Sequence, residues 1–478
     1  MANLVENRSE KKDCGVSESP SLLNMCNSSL STAGKIITQC IETSVHSKQE
    51  EKYLQLSNFL KNVKQYYFAE NFAIKAIKAD PGCREAYMSL GRIFRHVGRS
   101  ADADVCQRSK LPEGTIKKYF SCDSEFVDSD KFESESVRRL VAYPSVSRTL
   151  VPAKQLNDEV VEKLSKTNIQ SNQTYTVRIE KGRLWIDGLN VVVWDEAGRL
   201  IKDLCHGNSE IVNAVAAKKV PELIHSRVAL LSDRSANNYY HWMNDLLPRL
   251  AVLRESGVDL QSIDRFVVRS LRKPFQKETL ASFDIKGERL IRNLEQTYIQ
   301  ADELFIPVHD SVLGEKQDKW ALNFLKNHFQ PSKSNVLANK RLYISRGNSG
   351  RRGVVNEDEV VAVLSDLDFE IVKTEKMTVK EQVDLFSTAS VIVGPHGAGF
   401  TNTVFCNPGA KVIELFGRHM EPCFWIASEL MGHEHYVYHC NHIEATDPHP
   451  VANVAMRWEC IQVDVEKLKA ILEVADVR

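Results

Sequence analysis

Four short apolar runs between residues 341 and 416, "RLYISR", "FEIVK", "VIVG" and "KVIELF", are separated by stretches of helical period. Such runs read as strands buried on both faces. Two of the intervening helices announce their starts, Asn356 with Glu359 three residues on and Thr378 with Glu381. Strand and helix in strict alternation close only as a parallel sheet covered by helices on both sides. A third helix is expected after Gly399. The preceding region has the same texture: "RVALLSD" (227–233) and "DRFVVRS" read as strands, "NYYHWMNDLLPRLAVLRESG" (238–257) and "PFQKETLASF" as helices. The expected fold class is α/β, with two Rossmann-like doubly wound halves over 151–330 and 331–478.

The chain is 478 residues long, more than one ordinary core organises, so further modules are expected before the sheets. Residues 1–30 are polar and aperiodic and read as a poorly ordered leader. Within 31–111 the positions Tyr53, Leu56, Leu60, Ala69, Ala73, Ala76 and Pro81 are followed, at an offset of 34, by Tyr87, Leu90, Gly91, Phe94 and Ala103. That is the tetratricopeptide period, although a plain helical hairpin gives a similar pattern. Barely two repeats are present, so this small α-helical module is expected to lean on a protein partner or on a second copy of itself. Residues 112–150 are charged and turn-rich and read as a linker. The alternation in "YTVRIEKGRLWIDGLNVVVWDEAGRLI" (175–201) reads as short antiparallel strands decorating the first half.

A formal net charge of −1 leaves no electrostatic footprint for nucleic acid. No apolar run is long enough to cross a membrane, and "MANLVENRSEKKDCGVSESP" lacks the apolar segment of a signal peptide. The 11 cysteines are scattered without a CxxC pair, which favours reduced thiols. A cytoplasmic protein is expected, with the periphery of the inner membrane as the alternative.

Open parallel sheets bind ligands beyond the carboxyl ends of their strands. Three groups of residues fall there in the second half: Arg346, Arg351 and Arg352 after "RLYIS"; Gly394-Pro-His-Gly-Ala-Gly399 after "VIV"; and Glu414 in "KVIEL". Glycines that admit backbone N–H groups, facing arginines, suit a diphosphate, and Glu414 is placed to accept ribose hydroxyls. Taken singly, the glycines serve equally as a tight turn and His396 as the group that holds it. In the first half, His241 and Asp245 stand four residues apart and share one helix face, as a general base and its orienting partner would. An i, i+4 pair that merely supports a helix is the competing reading. Tyr239, Tyr240 and Trp242 offer aromatic surface of the kind that stacks on sugars.

Two other chemistries need weighing. His433, His435, His439, Cys440 and His442 have spacings a metal could use, which makes a metal-dependent hydrolase the second enzyme class, although no HExxH is present. The DxD triplets at 102, 128 and 366 fall in expected acidic turns away from the sheet edge, so no metal site is assigned to them. A non-catalytic scaffold, in which the helical module is the working part on a degenerate fold, is the non-enzyme alternative.

In "NYYHWMNDLLPRL", "RLYISRGNSGRRGVVNEDEV" and "VIVGPHGAGFTNTVFCNPGAKVIELF", in that order, the chain resembles glycosyltransferase family 61. The resemblance spans roughly residues 225–420. It implies an inverting transferase of GT-B type with a nucleotide-sugar donor, UDP-linked by preference, and no resident metal or cofactor. Carried over by position, Arg346 with Arg351 or Arg352 meets the diphosphate, His396, Gly397, Ala398, Gly399 and Asn402 line the donor site, and Glu414 holds the ribose. Asp245 is then the first choice for the base that activates a glycan or other hydroxyl acceptor, with His241 second. The missing anchor and the helical leader resemble bacterial members that build surface or capsular polysaccharides.

Overall fold

In a computed structural model the chain divides into two units, Met1–Ser121 and Cys122–Arg478. The structure describes residues 48–120, 125–131, 134, 136–155, 164, 167–232, 235–269, 271–292, 296–309, 317–330, 338–347, 352–443 and 459–477. The expected leader, 1–30, and Arg351 lie outside them.

The first unit is helical: Gln49–Asn62, Tyr66–Ala79, Arg84–His96, Ser100–Gln107 and Glu113–Tyr119. The first four form two successive pairs, and Pro81 lies in the turn between the pairs, as its missing N–H and fixed φ dictate. Small and apolar side chains at helical spacing, Ala69, Ala73 and Ile77 against Tyr87, Leu90 and Phe94, are fully buried. The Tyr87 hydroxyl donates to the Pro81 carbonyl at 3.0 Å and ties the turn to the next helix. Gly91 lets Arg84–His96 and Ser100–Gln107 approach, because a Cβ there would stand 3.0 Å from Cys106 Cβ and 3.1 Å from the Ala103 carbonyl oxygen. Gly91→Val should therefore destabilise this unit by about 1–3 kcal/mol, the usual cost of overpacking. Thermal melting followed by helical circular dichroism checks it; an unchanged melting curve would mean that the contact has slack.

The second unit contains two large sheets. Chain order begins with β1 (Phe126–Val127), β2 (Val137–Tyr143), β3 (Ser147–Thr149), β4 (Lys154–Gln155), β5 (Asn168–Gln170), β6 (Thr174–Glu180), β7 (Arg183–Asp187), β8 (Val191–Trp194) and β9 (Leu200–Ile201). It continues with β10 (Glu222–Leu230), β11 (Arg265–Val268), β12 (Leu290–Arg292) and β13 (Gln296–Val308). The region expected as a linker thus holds the fifth helix and three strands. β2 is an outer strand of which only Val137 is buried, so it carries Arg138 and Arg139 and has the composition of a loop.

The first sheet is mixed. β10, β11 and β12 run parallel, and β13 joins β10 in parallel while pairing antiparallel with β6 and β7. The strands of 174–201 are therefore not a decoration on a separate sheet: the 13-residue β13 makes them part of the same one.

The second sheet is parallel throughout, from β14 (Lys340–Ile344), β15 (Phe369–Val372), β16 (Ala389–Pro395), β17 (Lys411–Phe416) and β18 (Glu434–His439). Its order is β15-β14-β16-β17-β18, with β4 added at the far edge from the chain's earlier part. Strand order reverses between β14 and β16, which opens the crevice where doubly wound sheets take ligands. A two-stranded ribbon, β19 (Asn441–Ile443) and β20 (Cys460–Gln462), stands beside it.

One buried core joins the sheets: Ala229, Phe266 and Phe305 belong to the first, and Leu342, Ile392 and Phe416 to the second. The helix Val379–Ser387 opens on the expected capping box, with Thr378 accepting from Glu381 N–H and Glu381 reaching back. Asn356 departs from expectation. Its amide donates to the Val463 carbonyl at 2.8 Å and accepts from the Val463 N–H at 3.0 Å, so it ties the helix Glu357–Ser365 to the chain's C-terminal part instead of capping it. Among the described residues no helix is long and apolar enough to cross a membrane.

Candidate functional site

The expected helix 238–257 is broken by its own sequence. Pro248 has no N–H to give to residue 244, and its ring crowds that carbonyl. The backbone widens ahead of it into a π turn, Trp242–Leu246, in which Leu247 N–H donates to Trp242 O at 3.0 Å. Tyr239–His241 precede the turn and Pro248–Glu255 follow it, with Asn238 capping the start through a 2.9 Å bond from Tyr240 N–H. His241 Nδ1 lies 2.6 Å from Asp245 Oδ2, with Asp245 only 7% exposed. This pair is far less exposed than a solvated helix-supporting pair. The aromatics around it differ from expectation: Trp242 is fully buried and donates to Thr279 Oγ1 at 2.8 Å, and Tyr240 is buried and accepts from Gln317 at 2.8 Å. They pack the core and offer no stacking surface.

Next to the switch point, β16 and β17 run in register with Gly394 beside Glu414 and Pro395 beside Leu415. His396 N–H then donates to Leu415 O at 2.9 Å, which extends the ladder by one bond and holds the imidazole over the end of β17. The chain goes on as a 3-10 helix, Ala398–Phe405, in place of the α-helix expected there. Gly397 is needed for a neighbour: a Cβ would run into Arg346 Nη1, and that guanidinium donates to the His396 carbonyl at 3.1 Å. Gly399 likewise clears the Ile344 side chain from the end of β14.

His396 lines a small cleft with Arg352, Pro395, Leu415, Gly417, Arg418, His419, Glu459 and Ile461. Arg352 stands at φ 54°, in the left-handed region that costs a non-glycine residue on the order of 1–3 kcal/mol. Its loop is fastened to β20, because Ile461 N–H donates to Gly353 O and Val355 N–H to Ile461 O, both at 2.9 Å. Across the cleft, Arg418 Nε donates to Glu459 Oε2 at 2.8 Å and Nη2 meets the other carboxylate oxygen, which holds the Glu459 carboxyl below its usual range. Arg418 and His419 lie just after "KVIELF", where the strand-end rule that singled out Glu414 applies equally. Glu459 carries no such signal, because the pairing of β20 with β19 and with the Arg352 loop brings it here.

Glu414 sits elsewhere than a ribose ligand would. It is fully buried, with Oε1 2.5 Å from His396 Nδ1 and Oε2 3.2 Å from His435 Nε2. It presents no surface to the cleft. Burial pushes its carboxyl well above the usual range, against a smaller opposing pull from Arg352. Burial likewise holds the His396 imidazole well below its ordinary value, reinforced by Arg352, His419, Arg346 and His435. Asn402 is also fully buried: its amide accepts from the Tyr239 hydroxyl at 2.9 Å and donates to Gln382 Oε1 at 2.7 Å and to Gly399 O at 3.2 Å. It braces the segment after β16 against the Tyr239–His241 turn. Ala398 opens that segment and is partly buried.

The two constellations meet through rings. His241 contacts Tyr240 at 5.2 Å between centroids, Tyr240 contacts Phe424 at 5.5 Å, and Phe424 contacts His396 at 5.4 Å. The histidine-rich stretch is engaged otherwise: His433 Nε2 meets Thr403 O and His435 Nδ1 meets Ser428 Oγ, each at 3.0 Å. Burial holds the two imidazoles down to about 4 and about 3. Among the described residues no group of three or more His, Cys, Asp and Glu side chains is arranged to hold a metal ion. Of the DxD triplets, Asp102 and Asp104 lie inside the fourth helix, not in a turn.

No curated protein matches the chain at a significant level. Residues 239–413, which run from the Tyr239–His241 turn to β17, match the family model described as Glycosyltransferase 61. That stretch contains Asp245, Arg346, Arg352 and the segment after β16, and over it the chain is similar to glycosyltransferase family 61.

Proposed function

We propose that the second unit is an inverting glycosyltransferase that moves a sugar from a nucleotide-sugar, UDP-linked by preference, to a hydroxyl of a glycan. The likeness of residues 239–413 to that family supports a sugar donor and an acceptor. The observation that carries the finer reading is the convergence of Arg346, Arg352 and His396 at the switch point of a parallel sheet, where a phosphorylated ligand is expected. In this reading the two sheets are the halves of a GT-B arrangement, with the donor on the β14–β18 side. Arg346, Arg352 and, by position, Arg351 neutralise the diphosphate, while Gly397 makes room for Arg346 and Gly399 for Ile344. Ala398 lies between these glycines; Asn402 and Glu414 act from behind them.

Asp245 takes the proton of the acceptor hydroxyl. The oxygen so activated bonds to the anomeric carbon as the bond from that carbon to the diphosphate breaks, and the nucleoside diphosphate leaves with the electron pair. His241 holds Asp245 through the 2.6 Å contact. The arginines stabilise charge that grows on the leaving group, the kind of preorganised stabilisation that dominates such reactions. No resident metal or cofactor is part of this scheme. The spacing of the two helical pairs supports a tetratricopeptide-like module, and the exposed Tyr67 and Phe68 on it support a protein partner or self-association. A cytoplasmic setting and a surface or capsular polysaccharide acceptor complete the reading.

A thermal-shift screen of the full chain against UDP, GDP, CMP and their sugars tests it. A rise of several degrees with one nucleoside diphosphate and its sugars is expected, since ligand in hundredfold excess over its Kd adds about 2.7 kcal/mol of stability. No shift with any of them would remove the basis of the transferase reading.

A further inference from the structure

Behind the cleft lies a run of buried polar groups that phosphate binding by itself does not call for: Ser428 Oγ, His435, Glu414 and His396. Ser428 Oγ is 3.0 Å from His435 Nδ1, His435 Nε2 is 3.2 Å from Glu414 Oε2, and Glu414 Oε1 is 2.5 Å from His396 Nδ1. Ser428 and Glu414 are fully buried, and His435 is 2% exposed. His396 alone reaches the cleft.

Among the described residues the Glu414 carboxyl has one hydrogen-bond contact, with His396 Nδ1; His435 Nε2 stands 3.2 Å from Oε2 without hydrogen-bond geometry. A buried carboxylate so placed lacks the compensation that keeps such groups ionised, and the protonated acid is favoured. A carboxyl O–H aimed at an imidazole nitrogen makes that nitrogen the acceptor. The ring proton then resides on the other nitrogen, and in His396 that is the one remaining to meet a ligand.

Resting on the nucleoside diphosphate reading of the same cleft, we propose that Glu414 is a positioning residue. Its carboxyl O–H donates to His396 Nδ1 and fixes the imidazole with its N–H at Nε2, directed into the cleft as a donor to a diphosphate oxygen. His435, which Ser428 holds, stands 3.2 Å from the other oxygen without hydrogen-bond geometry. The arrangement gives the cleft a donor that adds no charge next to Arg346 and Arg352. The groups facing the pair are these two arginines, His419 beyond β17, His435 on β18 and Cys423 on the helix Cys423–Met431. Burial favours the uncharged form of each partner; the arginines and histidines reinforce it at His396, while Arg352 opposes it more weakly at Glu414.

Two substitutions separate positioning from bulk. The amide of Glu414→Gln can donate to Nδ1 as the protonated acid does, whereas Glu414→Leu cannot. Titrations of the full chain with UDP, GDP and inorganic pyrophosphate should leave Glu414→Gln within about threefold of the unsubstituted protein. Glu414→Leu should weaken binding by roughly tenfold or more. Nitrogen-15 imidazole spectra should show His396 protonated at Nε2 in the unsubstituted protein and in Glu414→Gln, with the Nε2 resonance moving on addition of ligand. A tenfold loss in Glu414→Gln, or His396 protonated at Nδ1, would overturn the proposal. If none of the three probes binds the unsubstituted protein, the diphosphate reading fails, while the spectrum recorded without ligand still decides the Glu414 assignment.

Discussion

Asp245→Asn is expected to reduce sugar transfer by a factor of about 10²–10⁴, the usual contribution of a positioned general base. Nucleoside diphosphate affinity should stay within a few-fold of the original. The substitution keeps shape and removes proton affinity, so the two readouts separate chemistry from folding. The amide of the variant can still contact His241 at the 2.6 Å position that Asp245 Oδ2 holds now. The contact loses its charge, however, and the acceptor hydroxyl loses its proton sink. Steady-state transfer with a donor identified by the thermal-shift screen, and calorimetric titration with the corresponding nucleoside diphosphate, give the two numbers. Transfer at the original rate would rule out Asp245 as the base. Equal losses of transfer and binding would mean that the π turn had been disturbed instead.

The second large effect is expected at Arg352. A charge-assisted bond to phosphate contributes about 1.5–3 kcal/mol, so Arg352→Gly should weaken nucleoside diphosphate binding by roughly 10- to 100-fold. Glycine is the informative choice because Arg352 stands at φ 54°. Removing the side chain there relieves backbone strain, so the melting temperature without ligand should hold or rise. Loss of affinity with retained stability assigns the residue to the ligand. A lower melting temperature with affinity intact would assign it to the loop fastened to β20. Arg346→Ala should also weaken binding, but it releases the 3.1 Å bond to the His396 carbonyl as well, so its stability readout is mixed.

Regular elements were legible wherever local chemistry and tertiary environment agreed. The strands β14 to β17 and the helix capped by Thr378 stand where apolar runs and the capping box put them. Elements at odds with that local pattern were not legible. β2 reads as linker because an edge strand tolerates Arg138 and Arg139, and the π turn is invisible to a periodicity of 3.6 although Pro248, its cause, is plain in the chain. The site shows the same division. The strand-end rule located Arg346, Arg352 and His396, and the i, i+4 spacing located His241 and Asp245.

Neither pattern could tell which of these side chains face a ligand. Glu414 and Asn402 lie at the right positions along the chain, yet the register of β16 with β17 and the packing of Tyr239 turn both inward. Glu459 enters the cleft through the pairing of β20 with β19 and with the Arg352 loop, from a point 41 residues beyond the arginine it binds.

By itself, the sequence determined the parallel character of the second sheet, the position of its switch-point crevice and the residue types available there. Each of these follows from apolar runs, caps and glycines read over a few neighbours. Only the tertiary structure decided that "VIVGPHGAGF" places His396 on a buried carboxyl, that Gly397 makes room for Arg346, and that the first sheet absorbs the strands of 174–201. These depend on which distant segments share one buried volume, and desolvation there, more than residue type, sets the protonation and orientation of each group.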